Sequence, residues 1–271
     1  KYFPKVISEN HNLNSSKAEL EYFPYPVLSE YMLYWDIEDE VWENVFKNLK
    51  DILSNFKKNK NFISVEDFES FYLDKINQRL DDFSNQLDEK DKFLLNDDKL
   101  VINGKTLKNY NILQNQVKLK IQSMYSENDF CIMHGDYCFS NIIFNHKDGI
   151  VKLIDPRGSF GSKIGIYGDI KYDLAKIAHS TFGQYDYFIS RLYELEIIEN
   201  KINYSVQKRS NHELLENLTI QLIDSTGFKH QDIFFIVSLL FISMCSLHDE
   251  DYQRQKAFYI HGIKLLNNYL T

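Results

Sequence analysis

The residues best suited to chemistry lie between positions 134 and 155. Asp136 is followed five residues later by Asn141, and Asp155 comes after a short intervening segment. In metal-assisted phosphoryl transfer, one Asp accepts the proton of the substrate hydroxyl, while an Asn and a second Asp hold magnesium. Magnesium takes few carboxylates from a protein, because phosphate oxygens and water complete its shell. The spacing therefore predicts phosphoryl transfer, with Asp136 as the base and with Asn141 and Asp155 as metal ligands.

A β-hairpin is predicted to bring Asn141 and Asp155 together. Short apolar runs indicate strands, and an Asp-Gly pair between two of the runs is a turn signal. The strands and the turn are predicted at residues 130–133, 142–144, 148–149 and 150–154. The alternative is a surface loop in which Asp136 and Asn141 make only side-chain turns.

This region resembles the aminoglycoside phosphotransferase and choline kinase superfamily, which has a protein-kinase-like fold. The resemblance rests on the motifs His134-Gly135-Asp136, Asn141, Leu153-Ile154-Asp155 and Tyr172-Asp173-Leu174-Ala175. It implies that Asp136 is the catalytic base, that Asn141 and Asp155 bind magnesium, and that His134 orders the catalytic loop. It also implies that Asp173 starts a helix and braces that loop.

A longer string is similar to a narrower bacterial branch of the superfamily. It covers residues 154–161 and 168–176. Members of that branch are often associated with capsule or surface-sugar biosynthesis and with nucleotidyltransferases. The resemblance therefore allows a further possibility, in which the chain is one domain of a longer bifunctional protein of surface-polysaccharide biosynthesis.

The expected fold class is α+β and protein-kinase-like. Residues 1–33 are expected to be a remnant of a small β lobe and the hinge, and residues 34–271 a mostly helical large lobe with the small catalytic hairpin. Apolar residues recur every three or four positions in much of the large lobe, which is typical of amphipathic helices. The helices are predicted at residues 37–58, 65–87, 107–125, 172–181, 185–195, 212–223, 231–247 and 252–269.

Residues 1–103 contain no glycine, which argues against a complete enzyme. A kinase covers the ATP phosphates with a glycine-rich loop, because only glycine lets backbone amides approach so closely. A strand Lys with a helix Glu partner is also missing, so we expect the sequence to begin within a domain. The alternative is a binding or regulatory module that lacks transfer activity. In the enzyme, the backbone of Glu30, Tyr31 and Met32 would form the hinge that contacts adenine.

Three further residues are candidates for binding the acceptor. Arg157 lies two positions after Asp155 and could face an anionic acceptor or a phosphate, since Arg donates in a planar, bidentate geometry. Pairing of Arg157 with Asp169 is the alternative. His179 and Tyr185 belong to a polar and aromatic cluster soon after the motifs. The alternative is that His179 is a hydrogen-bonded helix residue and that Tyr185 packs inside the fold.

Composition limits the classes of partner that this chain is expected to bind. The net charge is −8 and no long basic run is present, which argues against binding of nucleic acid. The apolar run at residues 233–247 is shorter than the roughly 20 residues that span a bilayer, so it predicts a core helix. Cys131, Cys138 and Cys245 show no metal-binding spacing, and a reducing cytoplasm is the expected compartment. The sequence predicts ATP and magnesium as cofactors and a small hydroxylated acceptor, a sugar or an amino alcohol.

Overall fold

Helices make up about half of the chain, and they form where apolar residues recur at helical spacing. The computed structural model describes residues 1–12 and 15–270. Its α-helices are α1 (Leu28–Tyr34), α2 (Asp39–Phe56), α3 (Val65–Gln86), α4 (Phe93–Asn96), α5 (Tyr110–Ser123), α6 (Ile170–Thr181), α7 (Tyr185–Ile189), α8 (His212–Asp224), α9 (His230–Met244) and α10 (Tyr252–Tyr269). With one exception, described below, each predicted helix corresponds to one of these and its ends differ by a few residues.

The strands are short and belong to several small sheets. They are β1 (Val6–Asn12), β2 (Ser15–Leu20), β3 (Lys99–Ile102), β4 (Lys105–Lys108), β5 (Phe130–Ile132), β6 (Ile142–Asn145), β7 (Ile150–Leu153), β8 (Ser159–Phe160), β9 (Lys163–Ile164), β10 (Tyr167–Asp169), β11 (Tyr193–Ile198) and β12 (Lys201–Val206). Four antiparallel pairs stand alone: β1 with β2, β5 with β10, β6 with β7, and β8 with β9. The chain is therefore α+β, as the sequence predicts.

Helix α9 is the centre of the helical core. Every residue from Ile233 to Met244 is buried, and the helix packs against α3, α6, α8 and α10. A helix that is apolar on all sides needs neighbours all around it. The prediction of a core helix in this run is thus confirmed. Among residues 1–12 and 15–270, no helix has both the length and the apolar content needed to cross a bilayer.

The structure contains a four-stranded sheet in the order β11-β12-β3-β4, which the sequence analysis does not predict. The helix predicted at residues 185–195 is wrong beyond Ile189, because Arg191 has a φ of 57° and ends the helical path. Residues 193–198 then alternate between more and less exposed positions, which is the period of a strand. The pairing of β12 with β3 is parallel and joins residues about a hundred positions apart, so no local pattern could predict it.

The N-terminal region differs from the predicted lobe and hinge. Strands β1 and β2 pair antiparallel. Residues 28–34, however, form helix α1 and pack on the helical part of the chain, where the Tyr31 hydroxyl donates to the Phe144 carbonyl at 3.2 Å. The boundary predicted at residue 33 therefore falls inside a helix that belongs with the helical part.

The close contact between α9 and α10 depends on Gly262. A Cβ atom at this position would lie 2.7 Å from Cγ1 of Ile242 and 3.0 Å from its backbone nitrogen. Glycine in the middle of a helix is normally unfavourable relative to alanine. Glycine is found here because the two helices cross so closely that a methyl group would clash with Ile242.

We predict that Gly262→Ala lowers the free energy of unfolding by about 1–3 kcal/mol, because the added methyl group overpacks the α9–α10 contact. Urea unfolding followed by tryptophan fluorescence measures the change. Asn268→Ala, at an exposed position of the same helix, is the control and should leave stability nearly unchanged. An increase in stability for Gly262→Ala, as expected at an open helical site, would contradict the packing.

Candidate active site

The hairpin predicted to connect Asn141 with Asp155 is present. Strands β6 and β7 pair antiparallel with Ile142 opposite Leu153, and the backbone N–H of Ile154 donates to the Asn141 carbonyl at 3.0 Å. The hairpin turn at residues 145–149 uses a glycine with positive φ at position 149. Asp155 follows directly after β7 and is thereby brought beside Asn141, as the sequence predicts.

Asp173 holds the loop that carries Asp136. Its carboxylate accepts the backbone N–H groups of His134 at 2.7 Å and Gly135 at 2.8 Å. Gly135 has a φ of +80°, and a Cβ atom there would lie 2.7 Å from Cβ of Arg157. The bracing role that the resemblance implies for Asp173 therefore has a geometric counterpart. Asp173 does not start helix α6, because Asp169 is the N-cap and accepts the Lys171 N–H at 3.0 Å.

Burial and hydrogen bonding act on Asp173 in opposite directions. The side chain is fully buried, which raises the pKa of its carboxyl to about 7, while the two backbone N–H donors favour the charged form and limit the rise. A protonated carboxyl would keep its acceptor oxygens but attract the two donors less strongly. The loop is thus held by a carboxyl group whose charged form is costly to bury and is stabilised by the two N–H donors.

Two further residues of α6 hold the same loop. Lys176 Nζ lies 2.7 Å from Oδ1 of Asp136, and Ser180 Oγ accepts the backbone N–H of Phe139 at 3.0 Å. Positions 173, 176 and 180 share one face of a helix, because they are three and four residues apart. Sequence reasoning missed Lys176 and Ser180. Both follow Asp173, for which a bracing role is predicted, at helical spacing. That spacing is the signal by which they could have been identified.

The carboxylate of Asp136 is partly exposed and held at both oxygens. Asn141 Nδ2 donates to Asp136 Oδ2 at 3.0 Å and to its backbone carbonyl at 3.0 Å, while Lys176 binds the other carboxylate oxygen. Burial alone would raise the pKa of Asp136, but Lys176 and Arg157 outweigh it, so that the pKa lies below its ordinary value. Asp136 is therefore ionised at neutral pH and can accept a hydrogen bond from a hydroxyl group.

The side chain of His134 is buried and contacts the loop that carries Asp136. Its Nδ1 accepts the backbone N–H of Asp136 at 3.2 Å, and its ring stacks on Phe3 with centroids 5.9 Å apart. Burial lowers the pKa of His134 despite the nearby carboxylates of Asp136 and Asp155, so the ring is neutral near pH 7. These contacts agree with a residue that orders the loop.

The oxygens of Asn141 and Asp155 fit a magnesium site. The amide nitrogen of Asn141 is used by Asp136, and no described donor occupies its Oδ1 atom. Asp155 is exposed, its side chain makes no hydrogen bond or ion pair among residues 1–12 and 15–270, and it adopts a φ of 54°, which is uncommon for a residue other than glycine. No group of three or more His, Cys, Asp or Glu side chains within the described part of the chain is placed to hold a metal. A site with one carboxylate and one amide suits magnesium, which takes its other ligands from phosphate and water.

Arg157 lies beside this loop, and its predicted alternative partner is occupied. Its backbone N–H donates to the His134 carbonyl at 2.9 Å. Asp169 pairs with Lys171 at 3.3 Å and accepts a hydrogen bond from Tyr72 at 3.0 Å. The alternative in which Arg157 pairs with Asp169 is therefore wrong, and its guanidinium remains available to a ligand.

His179 and Tyr185 lie together, but they are part of the core packing. Their rings stack at 4.5 Å, and Phe241 contacts the His179 ring at 4.4 Å. His179 is fully buried, both its ring nitrogens lack a partner in the described structure, and burial holds its pKa well below the ordinary value. The neighbouring Ser180, and not His179, points to the loop. These positions correct the prediction that His179 faces an acceptor pocket.

The predicted hinge contact with adenine is also corrected. Glu30, Tyr31 and Met32 lie in helix α1, where the N–H groups of Glu30 and Tyr31 donate to the Val27 carbonyl. The Met32 carbonyl accepts from the Asn211 side chain at 3.2 Å, and the side chains of Tyr31 and Met32 are fully buried. A hinge offers free backbone groups from an extended segment, and these residues offer none.

Comparisons of the chain with protein-family models, with curated proteins and with solved structures gave no match. The geometry of the loop is therefore the basis for the functional argument. It places an ionised carboxylate, Asp136, in contact with Asn141 and with Lys176 of helix α6, which fix its orientation. Such an arrangement can orient a hydroxyl group and hold a magnesium–phosphate complex beside it.

We predict that Asp173→Asn lowers the free energy of unfolding by roughly 1–3 kcal/mol, because an amide has one acceptor and leaves a buried backbone N–H unpaired. Urea unfolding measures the loss. Asp81→Asn, an exposed residue of α3 that removes the same charge, is the control and should be neutral. Equal stability of the two variants would show that the loop does not depend on Asp173.

Proposed function

We propose that the chain is a protein-kinase-like phosphotransferase that moves the γ-phosphate of ATP to a hydroxyl of a small acceptor, a sugar or an amino alcohol. The single observation that supports this most is the arrangement around Asp136, in which Asn141 donates to its side chain and backbone. Hairpin β6–β7 then carries Asp155 back to the same place. The resemblance of the motifs to the aminoglycoside phosphotransferase and choline kinase superfamily leads to the same reaction.

In the proposed reaction, Asp136 orients the acceptor hydroxyl and takes its proton. A bond forms between the acceptor oxygen and the γ-phosphorus, and the bond from that phosphorus to the bridging oxygen of ADP breaks. ADP leaves with the electron pair. Lys176 keeps Asp136 ionised and fixes the direction of its carboxylate, so that the remaining oxygen lone pairs face the acceptor. Such positioning supplies much of the rate enhancement in phosphoryl transfer.

Asn141 Oδ1 and the Asp155 carboxylate would hold the magnesium ion. When bound, magnesium neutralises phosphate charge in the transition state. The positive φ of Asp155 costs backbone energy, and residues held in such conformations are often found at functional sites. The strain is tolerated because β7 on one side and the Arg157–His134 hydrogen bond on the other fix the backbone around it.

A second candidate function is a binding or regulatory module without transfer activity. It is favoured by the lack of glycine in residues 1–103, since hairpin β1–β2 then offers no glycine-rich cover for phosphates. It is disfavoured by the hydrogen bonds that hold Asp136, because a module without chemistry has no need to keep this carboxylate ionised and partly exposed.

Phosphate transfer from ATP to a panel of sugars, sugar phosphates and amino alcohols, followed by ADP release, tests the proposal. We predict that Asp136→Asn lowers kcat by about 10²- to 10⁴-fold, because the acceptor loses its base, while ATP affinity is retained. Asp81→Asn again serves as the control for loss of one charge. No acceptor-dependent ADP release with any compound would favour the module without transfer activity. Full activity of Asp136→Asn would contradict the role of Asp136 as the base.

A further inference from the structure

Three cationic side chains converge on the ring of Tyr172, beside Asp136. Lys75 Nζ donates to the Tyr172 hydroxyl at 3.2 Å. Cζ of Arg157 lies 5.3 Å from the ring centroid, and Nζ of Lys176 lies 6.0 Å from it. The cations come from α3, from the segment after β7 and from α6, so the tertiary fold, not local sequence, brings them together.

The cluster has more positive charge than its carboxylate can balance. Lys176 pairs with Asp136, but Lys75 and Arg157 have no ion pair within the described residues. Three positive charges thus face one negative charge. The chain as a whole is acidic, with a net charge of −8, so carboxylates are plentiful elsewhere on the surface. The local excess is therefore a feature of this place and not of the composition.

Holding these charges together is unfavourable without an anion. The pKa of Lys75 is lowered by burial and also by the nearby charges of Arg157 and Lys176. Burial would raise the pKa of Tyr172, but the three cations bring it down to about 8. Like charges close together in a partly desolvated site repel one another, and a bound anion would relieve that repulsion.

The cluster combines two kinds of cationic donor, one guanidinium and two ammonium groups. Arg157 Cζ also lies 5.6 Å from the ring centroid of Phe71, so its planar group lies beside two adjoining aromatic rings. A guanidinium fixed in this way can donate two parallel hydrogen bonds to a phosphate, and a lysine adds a point charge from another direction. A phosphate monoester carries nearly two negative charges, which matches the excess, whereas a carboxylate carries one.

We propose that Lys75, Arg157 and Lys176 bind the phosphate group of a phosphorylated acceptor. The hydroxyl of the same acceptor then lies at Asp136, which shares Lys176 with the cluster. This inference rests on the proposed function and narrows its substrate class to small hydroxylated molecules that already carry a phosphate monoester. The product would carry two phosphate groups.

Calorimetric titration with inorganic phosphate tests the cluster directly, without nucleotide or turnover. Phosphate should bind the wild-type chain, and the double variant Lys75→Gln with Arg157→Gln should bind at least about tenfold more weakly, since each lost bond is charge-assisted. The matched control is Lys118→Gln with Arg79→Gln, which removes the same charges from the exposed side of α5 and from a half-exposed position of α3. Lys75→Gln alone provides a second variant, and relief of repulsion should keep both variants folded.

The proposed phosphate site is supported if the control keeps its affinity for phosphate and the cluster variants lose theirs. Absence of phosphate binding in the wild-type chain, or equal loss in the control, overturns it. Repeating the titration with a saturating non-hydrolysable ATP analogue and magnesium separates the two possible sources of phosphate. Binding that persists assigns the cluster to the acceptor, and binding that disappears assigns it to the donor and overturns the inference. Failure of the analogue itself to bind would refute the phosphotransferase and leave the phosphate site standing.

Discussion

The structure of the site depends on one buried interaction, the acceptance of two backbone N–H groups by the Asp173 carboxylate. A loop with a left-handed glycine has backbone donors that no strand or helix can satisfy, and leaving them unpaired inside the fold is costly. Asp173 satisfies the N–H groups of His134 and Gly135 from the first turn of α6. Because α6 packs against α9 in the core, the loop inherits the rigidity of the helical part of the chain.

The same helix determines the electrostatics of the loop. Lys176 lies one turn after Asp173 and binds Asp136, so the groups that fix the backbone and the charge are positioned by a single rigid element. Asp136 therefore stays ionised although it is partly buried. The surplus positive charge at Lys75 and Arg157 lies on the same side of this network, around Tyr172. A negatively charged ligand would complete a site whose charges are otherwise unbalanced.

Features that depend on local sequence could be predicted, and features that depend on distant contacts could not. The β6–β7 hairpin follows from two apolar runs and an Asp-Gly turn, and the long helices follow from the spacing of their apolar residues. The parallel contact between β12 and β3 has no local signature. The hinge predicted at residues 30–32 is wrong, because residues 28–34 form helix α1 and bury most of their side chains in the fold. The polarity of His179 suggests a pocket residue, whereas the rings of Tyr185 and Phe241 enclose it in the core.

Binding of ATP, measured by calorimetry with and without magnesium, tests the central claim most directly when wild type is compared with Asp155→Asn. Asparagine tolerates the positive φ of this position, so the variant removes charge without disturbing the backbone. The account predicts that magnesium strengthens ATP binding to the wild-type chain and that the variant loses this gain. Equal magnesium dependence in both proteins, or no binding of ATP to the wild-type chain, would contradict the assignment of Asn141 and Asp155 as the site of the metal–nucleotide complex.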